Sequence, residues 1–563
     1  MPKEKVGGYI SNIKFNDDTS LAIKQNDIIV FVGPNNAGKS QALKDIYSLS
    51  NNKVPSIVVS DISISKYSQP ISSLLDEISE MKEIDGSYKQ YNVLGKEFSY
   101  FDHTENTFST SSFYNNLRDL FVANLDTSAR LTICNAPINI ARNAPKTHPI
   151  HYAAFDKKYR KWLSDNFEKA FGLKVTPNIC YGAKVPLCIG DSVKLEGEYE
   201  DEQSRQEIYA DILDNYKQVQ DQGDGVKSFT GILLYLMLDY FCTFLIDEPE
   251  SFLHPPQAYI MGQIIGKTLT NQQQCIISTH SEEIIKGLLE VCPNRIKIIR
   301  ITREKDVNYF SVLDNDKFGE IWNDPLLKYS NIMSSLFHKS VVLCEGDSDC
   351  KIYSIVENNI KQSQDKYSET LFIHCGGKQR MHRIVIALRA LNIDIKLIPD
   401  IDIMNNETIF RNIIEAFGME WTTIKEDYDI IVSNIHSSKE TINRNDAKAQ
   451  INAIFENSQD PNLSKNELSQ IHKIISTTSK WQAIKTGGVS MIPSGESTAA
   501  FKRLDQKMRD CGIYMVPVGE VEKFVKEIGG HGAEWVNKVL EEYPDLNDEI
   551  YKPIKEFIKS MNL

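Results

Sequence analysis

The sequence predicts an α/β protein in which a P-loop nucleotide-binding domain, split by a long insertion, precedes a second domain with a parallel sheet. Two observations predict the first domain. The apolar run Ile28–Val32 leads into a glycine-rich loop and a helix, and a second apolar run, residues 244–246, ends in carboxylates. The second domain is predicted because residues 340–402 alternate between apolar strand-like runs and helical segments.

The bulk composition limits the class of protein. The chain has 563 residues, 41% of them hydrophobic, which suffices for two to four domains with sizeable cores. A formal net charge of −13 argues against a uniformly basic coat for nucleic acid but leaves room for a local basic groove. The ten cysteines are scattered without a C-x-x-C pair, which predicts free thiols in a reducing compartment. Without an apolar leader or a membrane-length apolar run, we expect a soluble, cytoplasmic protein that does not contact a membrane.

A glycine-rich loop follows the strand Ile28–Val32 and reads G-x-x-x-x-G-K-S. Gly33 and Gly38 would let backbone N–H groups surround the α- and β-phosphates of a nucleotide. Lys39 would reach the β- and γ-phosphates, and Ser40 would ligate Mg²⁺. The predicted ATP-binding residues of this loop are Gly33, Pro34, Asn35, Asn36, Ala37, Gly38, Lys39 and Ser40.

Two further motifs follow apolar strands in the order that an ATPase requires. Asp247 ends the strand 244–246, where it would hold Mg²⁺ through water, and Glu248 would orient or deprotonate the attacking water. After the strand 275–278, His280 would contact the γ-phosphate. Each motif alone has an ordinary structural explanation, as an acidic turn or a structural histidine. Their order behind a P-loop predicts ATP hydrolysis.

This ordered set resembles the ATP-binding-cassette (ABC) ATPases, in particular the RecF-like and SMC-like repair ATPases. Residues 247–257 nearly reproduce the D-E-P-E-x-x-L-H-P-x-x-Q run of that subgroup. The resemblance implies a signature segment that caps the ATP of a partner subunit, and hence a homodimer or higher homo-oligomer. The candidate is residues 224–229, with Ser228 at a helix start, although the segment departs from S-G-G-Q. An ordinary N-capping turn is the alternative.

A second set of carboxylates follows the strands of the second predicted domain. Glu345 ends one apolar strand, and another strand ends in Asp400 and Asp402. Because residues i and i+2 of a strand point the same way, these two aspartates can converge on one cation. Glu345 at the tip of a neighbouring strand would complete an oxygen-rich site for Mg²⁺ or Mn²⁺. Two metal ions about 4 Å apart could clamp the attacking and leaving oxygens of a phosphodiester.

These acids and their spacing resemble the Toprim domain of topoisomerases, primases and certain nucleases. In that family a glutamate acts as general acid or base, which implies this role for Glu345. The metal ligands that the resemblance implies are Glu345, Asp349, Asp400, Asp402 and Glu522. Lys485 is the candidate for a cation that stabilises the transition state, with a surface lysine as the alternative. Glu522 lies in a run that resembles the G-E-[LIV]-E ending of Toprim nucleases, although an acid that merely starts a helix is equally compatible.

An ABC-type head followed by a Toprim (Rossmann-like) domain resembles the OLD (overcoming lysogenization defect) family of ATP-dependent nucleases. Members of that family act in antiphage defence, including Gabija-type and retron-associated systems. The expected parts are a split ATPase domain, a mostly helical insertion for dimerisation or docking, a Toprim domain with its own helical insertion, and a helical tail. Their boundaries are 1–54 with 216–330, 55–215, 338–530 with an inserted segment near 403–480, and 531–563.

The function expected from this combination is metal-dependent cleavage of DNA under the control of ATP. Other components of a defence system would be further partners. A basic cluster beside the proposed metal site would suit a phosphate backbone, although a solvated helix face is an equal alternative. This cluster consists of Lys378, Arg380, His382 and Arg383. Two alternatives remain open: an RNA substrate, and a non-nucleolytic ATPase sensor that recruits another effector.

Overall fold

The computed structural model describes residues 5–79, 81–84, 88–191, 193, 201–305, 307–313, 331–436, 444–456, 462–475 and 480–563. The chain forms two compact units, residues 1–319 and 320–563. The end predicted for the ATPase domain, residue 330, lies outside the described residues. Within those ranges, none of the helices combines the length and apolar character that a transmembrane span requires.

The first unit contains β1 to β15 and α1 to α11 among its described residues. The strands are β1 Gly8–Phe15, β2 Ser20–Ala22, β3 Ile28–Val32, β4 Val59–Lys66, β5 Met81–Ile84, β6 Tyr88–Val93, β7 Lys96–Tyr100, β8 Val122–Leu125, β9 Lys174–Pro177, β10 Leu187–Gly190, β11 Lys217–Gln218, β12 Thr243–Asp247, β13 Gln274–Ser278, β14 Ile296–Glu304 and β15 Val307–Val312. The helices are α1 Lys39–Asn51, α2 Ile71–Ile78, α3 Thr104–Thr110, α4 Arg118–Phe121, α5 Thr127–Thr132, α6 Pro149–Phe155, α7 Lys157–Phe171, α8 Glu202–Asp214, α9 Asp224–Leu236, α10 Pro255–Thr268 and α11 Glu282–Val291.

The central sheet of this unit has the strand order β15-β14-β3-β13-β12-β8 in the described part of the chain. All neighbours are parallel except β15, which runs antiparallel to β14. Every residue of β3 and β13 is buried, as expected for parallel strands that are covered on both faces. The register places Asp247 opposite Ser278 and Ser278 opposite Phe31. The carboxyl ends of β3, β12 and β13 therefore meet at one edge.

The segment 55–215, expected to be a mostly helical insertion, instead contributes strands to the ATPase unit. β4 pairs with β1 over most of its length, and β8 extends the central sheet beside β12. The Asp45 carboxylate of α1 accepts hydrogen bonds from the backbone N–H groups of residues 57–59, at 2.6 to 3.1 Å. The predicted boundary at residue 54 therefore crosses a continuous structure. Short strands without a strong alternating pattern gave the sequence no signal of this pairing.

The second unit contains β16 to β18 and α12 to α21 among its described residues. The strands are β16 Ser340–Cys344, β17 Thr370–His374 and β18 Asp394–Ile398. The helices are α12 Asp347–Gln362, α13 Met381–Ala390, α14 Glu407–Ala416, α15 Lys425–His436, α16 Arg444–Glu456, α17 Lys465–Ile475, α18 Lys480–Gly487, α19 Glu496–Cys511, α20 Gly532–Glu542 and α21 Lys552–Lys559.

The strands of the second unit form a parallel sheet with the order β17-β16-β18 in the described ranges. An extended segment, residues 512–516, continues this sheet beside β18. Ile513 forms a parallel bridge with Leu397, and the N–H of Tyr514 donates to the Leu397 carbonyl at 2.8 Å. Parallel sheets connected by helices are therefore present in both units, which confirms the predicted α/β class.

The C-terminal residues 531–563, expected to be a separate tail, pack into the core of the second unit. Trp535 of α20 and Phe557 of α21 are buried in one apolar cluster with Tyr353 of α12. The rings of Tyr353 and Phe557 lie 6.1 Å apart, and Phe557 lies 5.5 Å from Phe524. The tail thus supports α12, whose first turn carries the predicted metal ligand Asp349.

Candidate functional site

Two glycines shape the P-loop between β3 and α1. Gly33 has a φ of +140° and Gly38 a φ of +98°, conformations that residues with a Cβ rarely adopt. A Cβ on Gly33 would lie 2.0 Å from the carbonyl oxygen of Ile301 in β14. The Asn308 side chain of β15 donates to the Ala37 carbonyl at 2.7 Å. The neighbouring strands therefore hold the loop in its curled form.

The Lys39 ammonium group lies across this loop. Its Nζ donates to the carbonyl oxygens of Gly33 at 2.9 Å and Pro34 at 2.8 Å. Burial lowers the pKa of Lys39 to about 8, although the carboxylates of residues 247–250 oppose this shift. The oxygens of a bound phosphate could replace these carbonyls as acceptors, so the position fits the predicted role.

Asp247 is held at the end of β12 by groups from two elements. The Ser278 hydroxyl of β13 donates to its carboxylate. Arg130 of α5 donates to the Asp247 backbone carbonyl, and to the Leu125 carbonyl of β8 at 3.4 Å. The carboxylate therefore lies beside the P-loop, where a Mg²⁺ ion bound to nucleotide would lie.

Arg130 was not among the residues predicted from the sequence. This guanidinium is fully buried, and burial lowers its pKa while the carboxylates of Asp247, Glu250 and Glu248 oppose the shift. A buried cation at this place offsets the charge of the acidic loop after β12. No motif contains Arg130, and its role depends on β8 lying beside β12, which the sequence pattern does not show.

Glu248 and Glu250 connect the loop after β12 with the loop after β13. The N–H of Glu248 donates to the Ser278 carbonyl at 2.9 Å, and Glu248 has an unusual φ of +48°. Its carboxylate lies 3.7 Å from His280 Nε2. Glu250 accepts a hydrogen bond of 2.6 Å from the His280 N–H, and burial raises the pKa of Glu250. The predicted catalytic pair, Glu248 and His280, is thus together at the nucleotide site.

A cavity of 750 Å³ opens over the P-loop, a size typical of ligand sites. Its lining residues are Asn35, Asn36, Ala37, Gly38, Lys39, Ser40, Gln41, Lys44, Glu248, His280 and Arg303. Eight of these were predicted, and Lys44 and Arg303 add cationic groups that suit a triphosphate. Gly33 and Pro34 are not lining residues, but their carbonyl oxygens accept hydrogen bonds from Lys39. Asp247 is not a lining residue either.

Ser228 does not occupy the position predicted for it. Helix α9 begins at Asp224 with Gly223 as N-cap, so Ser228 lies a full turn inside the helix. Its side chain is fully buried, on the same side as Phe229 and Ile232. The prediction of Ser228 at a helix start is therefore wrong, because the acidic residue Asp224 starts the helix earlier. The exposed residues at the start of α9 are Gly223 and Asp224.

In the second unit, Glu345 and Asp349 lie where β16 passes into α12. Gly346 caps the helix, and its N–H donates to the Asp349 carboxylate at 2.9 Å. The backbone carbonyl of Glu345 accepts a hydrogen bond of 3.3 Å from the Gly377 N–H. One oxygen of the Glu345 carboxylate is buried and has no hydrogen-bond partner among the described residues. A bound cation would satisfy a buried carboxylate oxygen of this kind.

Asp400 and Asp402 reach the same site, but not as alternate residues of a strand. β18 ends at Ile398, because Pro399 has no N–H for the ladder, and Asp400 caps a 3₁₀ helix at Ile401–Asn405. The expected strand geometry is therefore wrong. The pKa of Asp400 is nonetheless raised well above its ordinary value by burial and by the charges of Glu345, Asp349 and Asp402. The four carboxylates thus lie close together.

Two lysines lie beside these acids. Lys378 Nζ forms an ion pair with Asp402. Lys485 lies at the end of α18, with its Nζ 3.7 Å from the carboxylate of Glu520. Burial lowers the pKa of Lys485, but Asp402, Asp400 and other acids raise it by more. The predicted transition-state cation is therefore in the acid cluster.

Glu522 lies on the far side of the cluster, in a 3₁₀ helix at Val521–Phe524, and is 5% exposed. Its carboxylate accepts the N–H of Gly532 at 2.9 Å and lies 2.6 Å from His531 Nδ1. The Glu522 charge raises the pKa of Asp349, after the larger effect of burial. The structure therefore brings Glu522 to the other predicted ligands.

The donor set of this acid cluster fits a divalent cation. Burial raises the pKa values of Glu345 and Asp349, and to a greater extent that of Asp400. A cation among them would offset both the burial of their charges and their mutual repulsion. Carboxylate oxygens are the ligands that Mg²⁺ and Mn²⁺ prefer. The residues that would hold it are Glu345, Asp349, Asp400 and Asp402.

Two protein-family models match the chain. The model described as "AAA domain, putative AbiEii toxin, Type IV TA system" matches residues 187–286, a range that contains Asp247 and His280. The model described as "Overcoming lysogenization defect protein-like, TOPRIM domain" matches residues 336–402, which contain Glu345 and Asp400. The predicted order, an ATPase domain followed by a Toprim domain, is thereby confirmed.

The chain is also similar to an Old nuclease of Escherichia phage P2. The two are 22% identical over 326 residues, which cover 56% of this chain and 49% of the phage protein. The chain thus spans about half the length of the curated relative that it matches.

Several solved structures share weaker similarity with the chain. An SMC head bound to the C-winged helix domain of ScpA is 12% identical, with a TM-score of 0.33, and the match covers 55% of this chain and 99% of that one. The SMC head domain from Thermotoga maritima is 10% identical, with a TM-score of 0.29, and the match covers 54% and 99%.

Proposed function

We propose that this chain, in which an ATPase domain precedes an OLD-like Toprim domain, is a metal-dependent DNA endonuclease controlled by ATP. The convergence of four partly buried carboxylates between two lysines carries this proposal. Glu345 and Asp400 have raised pKa values, and Lys378 and Lys485 supply positive charge beside them. Perturbed carboxylates of this kind are typical of catalytic sites.

The carboxylates and the two lysines would have different roles in phosphodiester cleavage. A divalent metal ion in the acid cluster would polarise the phosphate and lower the pKa of the attacking water. Glu345 would accept a proton from that water or return one to the leaving oxygen. Lys485 would offset the negative charge that develops on the phosphate. The Lys378 ammonium, paired with Asp402, would help to hold the phosphate beside them.

ATP hydrolysis at the P-loop would depend on Glu248, Asp247 and His280. Hydrolysis of a phosphodiester needs no energy from ATP, so we assign the nucleotide a regulatory role through association of two heads. In this proposal the exposed start of α9, residues 223–224, takes the place that was predicted for Ser228 and caps the nucleotide of a second copy. Glu248→Gln should trap an ATP-bound dimer, which light scattering after size exclusion would detect. A monomer with and without ATP would contradict the dimeric heads.

The nuclease is tested with supercoiled plasmid and end-labelled linear DNA in Mg²⁺ or Mn²⁺, with and without ATP. Glu345→Ala should abolish nicking and linearisation and leave ATP hydrolysis unchanged. The matched control is Asp347→Ala, which removes an exposed acid from the same helix start. Cleavage by Glu345→Ala at the wild-type rate would overturn the assignment.

The same experiment separates the alternatives. Cleavage of labelled RNA in preference to DNA would change the substrate, since the acid cluster does not read the sugar. ATP hydrolysis without cleavage of either nucleic acid would favour a sensor that recruits another effector.

A role in antiphage defence, with partners from the same system, is tested by phage plating on cells that express wild-type or Glu345→Ala protein. Equal plating efficiencies would argue against that role.

A further inference from the structure

Three potential metal-ligating side chains meet at the edge of the acid cluster. One ligand atom each of Glu520, Glu522 and His531 lies within 4.8 Å of the others. Glu520 and Glu522 flank the start of the 3₁₀ helix Val521–Phe524, and His531 is the N-cap residue of α20. Of these three residues only Glu522 was predicted from the sequence to bind metal, and His531 lies outside the G-E-[LIV]-E run that contains both glutamates.

The surroundings support two of these side chains as ligands. Glu522 is held by the N–H of Gly532 at 2.9 Å, a contact that orients a carboxylate without blocking its second oxygen. Glu520 is partly neutralised by Lys523 at 3.2 Å and Lys485 at 3.7 Å. His531 is 78% exposed, so its imidazole can turn from its contact with Glu522 toward a shared cation.

A buried hydroxyl nearby points to an additional ligand. Tyr353 lies one helical turn after Asp349 on α12, on the same face, and is 1% exposed. Its hydroxyl has no hydrogen-bond partner in the described part of the chain. Burial, and after it the charges of Asp349, Asp400 and Glu522, raise the pKa of this phenol. A buried, unpaired hydroxyl among ligating carboxylates is suited to a metal-bound water.

We propose that His531 is a ligand of a second divalent cation, held with Glu522 and Glu520 next to the Asp349 carboxylate. The inference extends the metal centre of the proposed function. An imidazole nitrogen binds Mn²⁺ and later transition metals better than Mg²⁺, whose preferred ligands are oxygens. The second position therefore binds Mn²⁺ in preference to Mg²⁺. The atom responsible is the imidazole nitrogen that His531 supplies from the C-terminal segment.

The test measures metal binding, without nucleotide, in full-length protein. Wild type, His531→Ala and the control His472→Ala, an exposed histidine on α17, are titrated with Mn²⁺ while free Mn²⁺ is followed by electron paramagnetic resonance. Pulsed measurements on the bound ion detect coupling to a ligating nitrogen. We expect nitrogen coupling in wild type and in His472→Ala, and its loss in His531→Ala. The affinity of the weaker Mn²⁺ site should fall at least about tenfold in that variant.

Competition with Mg²⁺ gives the second readout. His531→Ala should lose most of its preference for Mn²⁺ at the second position, whereas His472→Ala should retain it. Wild-type protein without nitrogen coupling, or His531→Ala with unchanged Mn²⁺ affinity, would show that His531 only pairs with Glu522. Because binding is measured rather than cleavage, a protein that binds Mn²⁺ as expected but cuts no nucleic acid would contradict the nuclease and leave this inference intact.

Discussion

The Glu250 carboxylate accepts a hydrogen bond of 2.6 Å from the backbone N–H of His280. This contact joins the loop after β12, which carries Glu248, to the loop after β13, which carries His280. The positions of the two predicted catalytic side chains therefore depend on a third, more buried acid. Burial raises the pKa of Glu250, which favours its neutral form.

Glu250→Gln is expected to retain most ATP hydrolysis, because a neutral amide oxygen can still accept the His280 N–H. Glu250→Ala leaves that N–H without its acceptor, at a cost of about 1–3 kcal/mol in the free energy of unfolding. We expect lower thermal stability and much slower hydrolysis in the alanine variant, measured by calorimetry and phosphate release. Wild-type hydrolysis by Glu250→Ala would show that the contact does not position His280.

ATP binding to the free protein should weaken above pH 8. Burial lowers the pKa of Lys39 to about 8, so the ammonium that faces the phosphates is progressively lost above that value. The affinity for a fluorescent ATP analogue should fall about tenfold per pH unit in that range. Lys39→Arg, whose guanidinium stays charged, should show a flatter profile. A flat profile in the wild type would contradict the assignment.

The second unit should respond to pH and metal together. The pKa values of Glu345, Asp349 and Asp400 are raised in the folded state, so unfolding makes these groups release protons more readily. Without metal, the stabilising effect of their protonated forms is complete below about pH 4 and is lost as pH rises through the folded-state pKa values. Mg²⁺ needs the ionised forms, so its addition should raise the unfolding temperature more at about pH 8 than at about pH 5.

The variant Asp400→Asn should reduce both the loss of stability with rising pH and the stabilisation by Mg²⁺. The reason is that it removes the most strongly shifted of these carboxyl groups. Scanning calorimetry in a chelator and in Mg²⁺ provides the measurement. An equal Mg²⁺ shift at both pH values in the wild type would mean that the acid cluster does not bind the ion.

Gly519→Ala should disable the proposed nuclease without affecting the ATPase unit. Gly519 has a φ of +107°, and an added Cβ would lie 2.0 Å from the backbone carbonyl oxygen of Lys485. The methyl group must push α18 away from the acids, and the strained backbone costs about 1–3 kcal/mol. Loss of DNA cleavage with normal ATP hydrolysis is expected. Gly529→Ala is the control, because a Cβ there meets no atom within 4 Å.

The sequence alone predicted the chemical groups of both sites, because short motifs carry them. The P-loop, Asp247, Glu248 and Glu345 each follow an apolar strand, and strand ends in a parallel sheet meet at one edge. Local pattern was therefore sufficient to predict the α/β class, the order of the domains and most side chains of the nucleotide cavity.

Only the tertiary structure decided which other residues join those groups. Arg130 reaches Asp247 because β8 pairs with β12 across more than a hundred residues of sequence, and His531 reaches Glu522 because α20 packs on α12. Ser228 is buried because α9 begins earlier than its sequence indicated. Long-range pairing and the exact start of a helix depend on packing between distant segments, and a local pattern of residues does not record that packing.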